Sequence, residues 1–348
     1  MTTGLLGLAT ALPENEVRQG DVAAFAEAVF SDRFSGYQRM ARVFENAGIL
    51  RRHFVRPLSW FAAPHGWEER TAVYLEEASD LFVAAAQRAL EIAHVEADEV
   101  DTIVTVSSTG IAAPSIEARV AARMGFRVDV ERVPVFGLGC AGGVSGMATA
   151  ARLAEGRPGS TVLFVAVELC SLAYRPDDVS KASIIATALF ADGAAACVLR
   201  SGESGRAEIE WSGQHLWPDT LDIMGWRVED AGLGVIFDRA IPPFTNENVG
   251  SAVETMLARA DLRLGDISRF VCHPGGRKVV DALESSLSLP QGTLLEEREV
   301  LADCGNMSAP TVLFVLERLF DKGLAGRVAL LAMGPGFTAS CLTLMCLP

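Results

Sequence analysis

Short apolar runs and longer amphipathic stretches alternate along this chain. The runs "DTIVTVSS" (101–108), "TVLFVAVEL" (161–169), "AAACVLR" (194–200), "RFVCH" (269–273) and "RVALLAMG" (327–334) read as buried strands. Between them, residues 71–94, 115–124, 141–155, 276–287 and 308–322 place apolar side chains at helical spacing and predict amphipathic helices. Strands alternating with helices predict a layered α/β fold. No Pro-, Gly- or Ser-rich linker divides the chain, and no low-complexity tract interrupts it.

An internal repeat sharpens that picture. "GCAGGVSGMATAARLAEGRPGSTVLFVAV" (139–167) matches "GNMSAPTVLFVLERLFDKGLAGRVALLAM" (305–333) in pattern. The same offset, 166 positions, carries Cys140 onto Asn306, Val162 onto Val328 and Ser107 onto His273. The two halves therefore read as copies of one βα arrangement, with Cys140 and Asn306 each at a turn entering a helix. Packed about a pseudo-twofold axis, two such halves would aim both helix N-termini at one place. Free backbone N–H groups and the positive dipole ends there suit a thiolate and an oxyanion.

Composition narrows the function. At 348 residues and 50% hydrophobic content, the chain can bury a large core as one large domain or two fused ones. A formal charge of −14 argues against a general nucleic-acid binder. No run of eighteen apolar residues reads as a membrane span, and "MTTGLLGLATALPENEV" lacks the positive start of a secretory signal, so a cytoplasmic protein is expected. Seven scattered cysteines, with no C-x-x-C pair and no Cys/His ligand spacing, argue for reduced buried thiols rather than a disulfide frame or a metal site. One segment runs against the acidic trend: 33–56 holds six arginines and a single acid, Glu45. It reads either as a solvated helix face or as a local site for an anionic ligand.

Three residues have settings with chemical meaning: Cys140 in "GLGCAGG", His273 in "VCHPGGRKV" and Asn306 in "DCGNMSAP". A helix N-terminus and a nearby imidazole would lower the pKa of a thiol and supply the nucleophilic thiolate. Flanking glycines allow a tight turn and close approach of a substrate. Histidine and asparagine donate hydrogen bonds to a carbonyl oxygen as it becomes an enolate or alkoxide. Singly, each has a structural reading: a small core thiol, a satisfied core histidine, an asparagine cap. The repeat, which places two of the three at equivalent and converging positions, favours the chemical reading.

Motifs along almost the whole chain carry a resemblance. "GLATALPENEVRQ", "GLGCAGG", "ALFADGAAA", "IMGWRVEDAGL", "HPGG", "GNMSAPTVLFVLERL" and "AMGPGF" resemble the type III polyketide synthases, the chalcone-synthase-like branch of the thiolase-fold condensing enzymes. "STGIAAPS", "VELCSL", "IMGW" and "LAMGPGF" look most like bacterial alkylpyrone and alkylresorcinol synthases that start from fatty acyl-CoA. The resemblance implies a thiolase-like αβαβα fold of two pseudo-duplicated halves, 1–203 holding the nucleophilic cysteine and 204–348 holding the histidine and asparagine. It implies that Cys140 carries the acyl starter, and that His273 and Asn306 bind the malonyl-CoA carbonyl and stabilise the enolate left by decarboxylation. It implies acyl-CoA and malonyl-CoA as substrates, a homodimer, and neither metal nor redox cofactor.

For the substrate cavity, the resemblance points to Phe190 at the neck and to the loop Met333, Gly334, Pro335 and Gly336. Val235 falls where chalcone-type members carry a second aromatic, and Ala173 where plant enzymes carry a threonine. These smaller or more flexible residues predict a more open, apolar cavity. Thr109 and Cys170 match the lining of an alkyl tunnel. Arg39, with Arg42, Arg51 and Arg52, lies in the region that binds the CoA phosphates in the family, and arginine suits bidentate phosphate contacts. Two alternatives stand beside this reading: a ketoacyl-carrier-protein synthase III performing one condensation, and a thiolase-fold protein that binds acyl-CoA without turnover.

Overall fold

A computed structural model describes residues 2–347. In the N-terminal half, β1 (Thr3–Ala11) is followed by the pair β2 (Asn15–Arg18) and β3 (Arg51–Phe54), then by β4 (Thr102–Val106), β5 (Glu131–Val135), β6 (Thr161–Leu169) and β7 (Asp192–Ser201). The helices of this half are α1 (Gln19–Phe30), α2 (Tyr37–Met40), α3 (Arg42–Asn46), α4 (Trp67–Ala93), α5 (Ile116–Met124), α6 (Gly142–Gly156) and α7 (Lys181–Leu189). The C-terminal half contains β8 (Ala207–Leu216), the hairpin β9 (Met224–Glu229) and β10 (Gly232–Phe237), β11 (Arg269–Cys272), β12 (Gly326–Gly334) and β13 (Thr338–Cys346). Its helices are α8 (Ile241–Ala258), α9 (Arg277–Ser286), α10 (Leu295–Cys304) and α11 (Thr311–Asp321). The apolar runs and helical stretches of the sequence lie on these elements to within a few residues at their ends.

Nine strands form one sheet in the order β11-β12-β13-β8-β1-β7-β6-β4-β5. The duplication is explicit in its pairing. β4 and β6 are parallel, with β6–β7 and β7–β1 antiparallel; β11 and β12 are parallel, with β12–β13 and β13–β8 antiparallel. The halves join where β1 pairs with β8. β5 alone has no strand counterpart, because the matching residues 297–301 lie within α10.

The two halves of the sheet close on α6 and α11. α6 packs on β4, β6 and β7 of one half and on β12 and β13 of the other, while α11 packs on β1, β7, β11, β12 and α6. On the outer faces, α4 covers β1, β6 and β7, and α8, with α9 beside it, covers β8 and β13. The result is five layers, helix–sheet–helix–sheet–helix, with one apolar core around the central helices and one under each outer layer. The small residues of "GGVSGMATAA" make the middle layer possible. A side chain at Gly143 would drive into the Ala309 carbonyl, and one at Gly146 would overlap the Phe164 ring. The first contact brings the starts of α6 and α11 together, and the second seats α6 on β6.

Candidate active site

Cys140 sits in a single 3-10 turn, Gly139–Ala141, that runs directly into α6. Gly139 has φ +49°, and a Cβ there would lie 2.7 Å from Pro335, so the 334–336 loop wedges against the turn. The Ser108 hydroxyl accepts from the N–H groups of Gly137 and Gly139, both at 3.2 Å, and pins the turn from the other side. On the second repeat, Gly305 (φ +72°) ends α10 and turns the chain into Asn306. The Asn306 N–H donates to Leu189 O at 3.0 Å, and Ala191 N–H donates to Asn306 O at 2.8 Å, stitching the loop to the end of α7. The Asn306 carboxamide is fixed at both ends: Oδ1 accepts from Ser308 N–H (2.8 Å) and Nδ2 donates to Gly275 O (3.1 Å). The Ser308 hydroxyl in turn reaches the Cys140 sulfur.

His273 directly follows β11, its N–H donating to Leu331 O at 2.8 Å. The ring is 2% exposed, and both Nδ1 and Nε2 lack a hydrogen-bond partner. Buried polar atoms in native proteins are nearly always paired, so an orphaned imidazole two residues from the carbonyl that holds Asn306 marks a place where a ligand completes the bonding.

Burial dominates the electrostatics. It pushes the Cys140 thiol up to about 12, against the pull of the Ser308 hydroxyl and the residue's own amide and with a further push from Glu168. Burial holds His273 down to about 3. Desolvation therefore opposes the thiolate expected from the helix start and the nearby imidazole. Burial thus biases both the thiol and the imidazole towards their neutral forms. Glu168, fully buried at the end of β6, accepts from Ser108 N–H (2.9 Å) and Thr109 Oγ1 (2.7 Å) and is raised to about 7 by burial. The sequence did signal it, as one acid inside the apolar run "TVLFVAVEL".

The cavity at Cys140 is small, about 30 Å³, with Cys170, Phe190, Trp226, Val235, Phe237, Ser308 and Pro335 in its wall. Phe190 packs against Trp226 and Phe237 with ring centroids 6.3 and 6.0 Å apart. Phe237 also borders a much larger opening of about 440 Å³ that ends inward at Gly275 and Gly276. Five exposed cations rim it: Arg39 and Arg42 from the N-terminal half, Arg239 before α8, and Arg277 and Lys278 at the start of α9. Asp238 is the one acid there, and among the described residues none of the five cations has an ion-pair partner. On a chain of net charge −14, five cations around one opening favour a polyanionic ligand, and Phe237 stands between this opening and the Cys140 cavity.

Comparison with known proteins agrees with that geometry. Residues 2–203 match the N-terminal domain of the chalcone and stilbene synthases, and residues 208–348 match their C-terminal domain. The chain belongs to this family. It is 38% identical over 347 residues to a 1,3,6,8-tetrahydroxynaphthalene synthase of Streptomyces peucetius, covering 97% of this chain and 91% of that one. It is 30% identical over 350 residues to an alpha-pyrone synthesis polyketide synthase-like protein of Mycobacterium tuberculosis, covering 95% and 88%. The crystal structure of the tetrahydroxynaphthalene synthase of Streptomyces coelicolor, a bacterial type III polyketide synthase, superposes with a TM-score of 0.94 at 30% identity over 99% of both chains. The protein is a type III polyketide synthase, an acyl-transferring enzyme of thiolase-like fold, and the two alternatives raised by the sequence fall away.

Several site expectations change in the folded synthase. Arg52 is not a CoA contact: it is 0% exposed, its Nη1 donates to Phe190 O (2.7 Å) and its Nη2 to Gln19 Oε1 (2.6 Å). Arg51 projects to solvent but pairs with Glu16 and Asp303, away from the cationic opening. Met333 does not line the cavity; on β12 its side chain faces α8, where Thr245 Oγ1 approaches its sulfur at 3.5 Å. Gly334 lies against Leu138 O and Ala141 with no room for a side chain, and of the loop it is Pro335 that reaches the Cys140 cavity. Gly336 packs near Leu216 and Thr338 instead. The cavity is apolar and small, with Trp226 and Phe237 of the β9–β10 hairpin beside Val235 in its wall. Thr109 is bonded to Glu168 and Leu169 and borders a separate recess of about 20 Å³, while Cys170 lines the Cys140 cavity. Ala173 lines a further cavity beyond Cys170. Trp226, Phe237, Arg239, Arg277, Lys278 and Glu168 are site residues that the motifs did not single out.

Proposed function

We propose that this synthase loads an acyl-CoA starter onto Cys140, extends it with malonyl-CoA and cyclises the poly-β-keto product. A fatty acyl starter and an alkylpyrone or alkylresorcinol-type product are the reading we favour. The observation that carries it is the buried, unpartnered His273 beside a fixed Asn306, reached from a cationic opening large enough for a nucleotide. CoA phosphates bind Arg39, Arg42, Arg239, Arg277 and Lys278, and the α9 N-terminus adds backbone donors.

In the loading step Cys140 Sγ bonds to the thioester carbon, the C–S bond to CoA breaks, and the thiol proton leaves with CoA. Neutral His273 is the base available for that transfer. In extension the malonyl carboxylate leaves as CO₂, and the electron pair moves to the thioester oxygen, where His273 and Asn306 donate. The enolate carbon then attacks the Cys140-bound acyl carbon and releases the sulfur. Each round of extension and reloading consumes one proton, taken up when CoA leaves as the thiol. Charge is handled throughout by hydrogen bonds, so the chemistry as written needs no metal or redox cofactor.

A homodimer is part of this proposal. The edge strand β5 and its flanks leave Val128 and Phe136 solvent-exposed in the single chain, and an apolar edge of this kind is ordinarily covered. The test is incubation with malonyl-CoA and a panel of acyl-CoA starters, with products read by mass spectrometry. Pyrones or resorcinols carrying the starter's tail support the proposal; turnover of malonyl-CoA alone, with no starter incorporated, overturns the acyl-starter reading.

A further inference from the structure

The end of α7 joins the N-terminal segment to the loop that carries Asn306. The last carbonyls of a helix have no partner within it and must find donors elsewhere. Here three successive carbonyls are met by three different parts of the chain. Ala188 O accepts from Gln19 Nε2 at 3.0 Å, Leu189 O from the Asn306 N–H at 3.0 Å, and Phe190 O from Arg52 Nη1 at 2.7 Å. Phe190 and Asn306 also form an isolated parallel β-bridge, outside the nine-stranded sheet.

The two side chains at this junction brace one another. Arg52 Nη2 donates to Gln19 Oε1 at 2.6 Å, and Gln19 Nε2 also donates to Phe44 O at 3.2 Å. The Arg52 stem lies against the turn before Asn306: a Cβ on Gly305 would stand 3.2 Å from Arg52 Cβ. Both residues are buried, with the buried Asp192 carboxyl as the counter-charge, and Arg52 Nε has no hydrogen-bond partner among the described residues. A buried ion pair seldom stabilises a fold more than apolar side chains of the same volume. A guanidinium kept here, with one N–H unpaired, is better explained by what it holds in place.

Resting on the reading of Asn306 as an enolate stabiliser, we infer that Arg52, braced by Gln19, is a positioning residue for the extension step. It touches neither the substrate nor the reacting atoms. It completes the carbonyl end of α7, from which the Asn306 main chain hangs, and so fixes where the Asn306 carboxamide stands. Cys140 lies on the other repeat, its turn held by Ser108 and Pro335, so loading of the starter does not depend on Arg52.

The test follows two half-reactions in the same variants: acyl loading of Cys140, read by intact mass, and decarboxylation of malonyl-CoA, read by release of CO₂. Arg52→Met should lower kcat for decarboxylation by roughly ten- to a hundredfold, with KM and the loading rate within about twofold. Arg52→Lys restores the cation and one donor, and should recover much of the loss. Gln19→Met removes the Ala188 contact but keeps the guanidinium. It should show the same split to a smaller degree, and it carries the test if Arg52→Met does not fold. Leu257→Ala, which leaves a cavity in the core under α8, is the control: it should lower Tm and leave both rates unchanged. Decarboxylation that is unchanged in Arg52→Met and Gln19→Met, or that falls together with loading, or that Arg52→Lys does not rescue, overturns the inference. Unchanged decarboxylation in Asn306→Ala is a separate failure: it overturns the reading of Asn306 itself, and this inference with it.

Discussion

Arg52 offers a sharp test, because sequence position and structure assign it opposite roles. Its guanidinium is wholly buried, bonded to Phe190 O and Gln19 Oε1, and stacked over Phe54 at 5.5 Å. The buried carboxylate of Asp192 is its counter-charge, itself bonded to Val55 N–H, Ser171 N–H and Ser171 Oγ. Burial draws the arginine down to about 9 and the carboxyl up to about 6, yet both remain charged at neutral pH. In Arg52→Met the Asp192 charge loses its cation and the Phe190 carbonyl its donor. Removing one partner of a buried pair costs about 3–5 kcal/mol. At about 2.1 cal/mol/K per residue, a chain of 348 residues has an unfolding entropy near 0.7 kcal/mol/K, so Tm should fall by roughly 4–7 °C. Calorimetry measures the fall, and Arg39→Ser is the comparison: it lies exposed at the cationic opening and should leave Tm within about a degree. An Arg52→Met enzyme with unchanged Tm but a KM for malonyl-CoA raised as much as in Arg39→Ser would refute the argument. Arg52 would then be a phosphate ligand after all.

Two further outcomes follow from the site. On the proposed CoA site, Arg277→Ser and Lys278→Ser would each remove a charge-assisted contact to phosphate. Each should raise KM for malonyl-CoA by roughly tenfold with kcat little changed, and the effect should shrink at high salt; steady-state kinetics at two ionic strengths checks both points. His273 stays neutral in the fold down to about pH 3, whereas in the unfolded chain it takes up a proton near pH 6.5. The unfolded state thus binds more protons between these values, and the His273 contribution to stability is lost as pH falls below 6.5, by roughly 2 kcal/mol at pH 5. Denaturant unfolding of His273→Gln should show a shallower loss between pH 6.5 and 5 than the unaltered enzyme; identical slopes would mean that His273 is solvated and titrates normally.

The settings of Cys140, His273 and Asn306 were legible because local signals mark them. Cys140 and Asn306 lie at glycine turns before helices, and the repeat aligns them. Burial was not legible in the same way. Arg51 and Arg52 are neighbours in sequence, but on β3 successive side chains face opposite ways, so one meets solvent and the other the core. The opposing push on the Cys140 thiol was hidden in the same way, since a helix start shows in the pattern while desolvation depends on everything packed around it. The cationic opening was half visible. Arg39 and Arg42 stand in a basic stretch, but Arg239, Arg277 and Lys278 come from two other segments that only folding brings to the same rim. Trp226 and Phe237 escaped for a related reason: the offset that aligns the halves sets their hairpin, 224–237, on residues 58–71, which form no hairpin, so the repeat says nothing of where it folds.

The central claim is that one thiol among seven carries the acyl chain. Intact-protein mass spectrometry after incubation with an acyl-CoA, followed by peptide mapping, tests it directly. The account predicts one adduct, equal to the acyl group less a hydrogen, on the peptide holding Cys140, and none on Cys140→Ala. An adduct that persists in Cys140→Ala, or that maps to Cys170 in the same cavity, would contradict it.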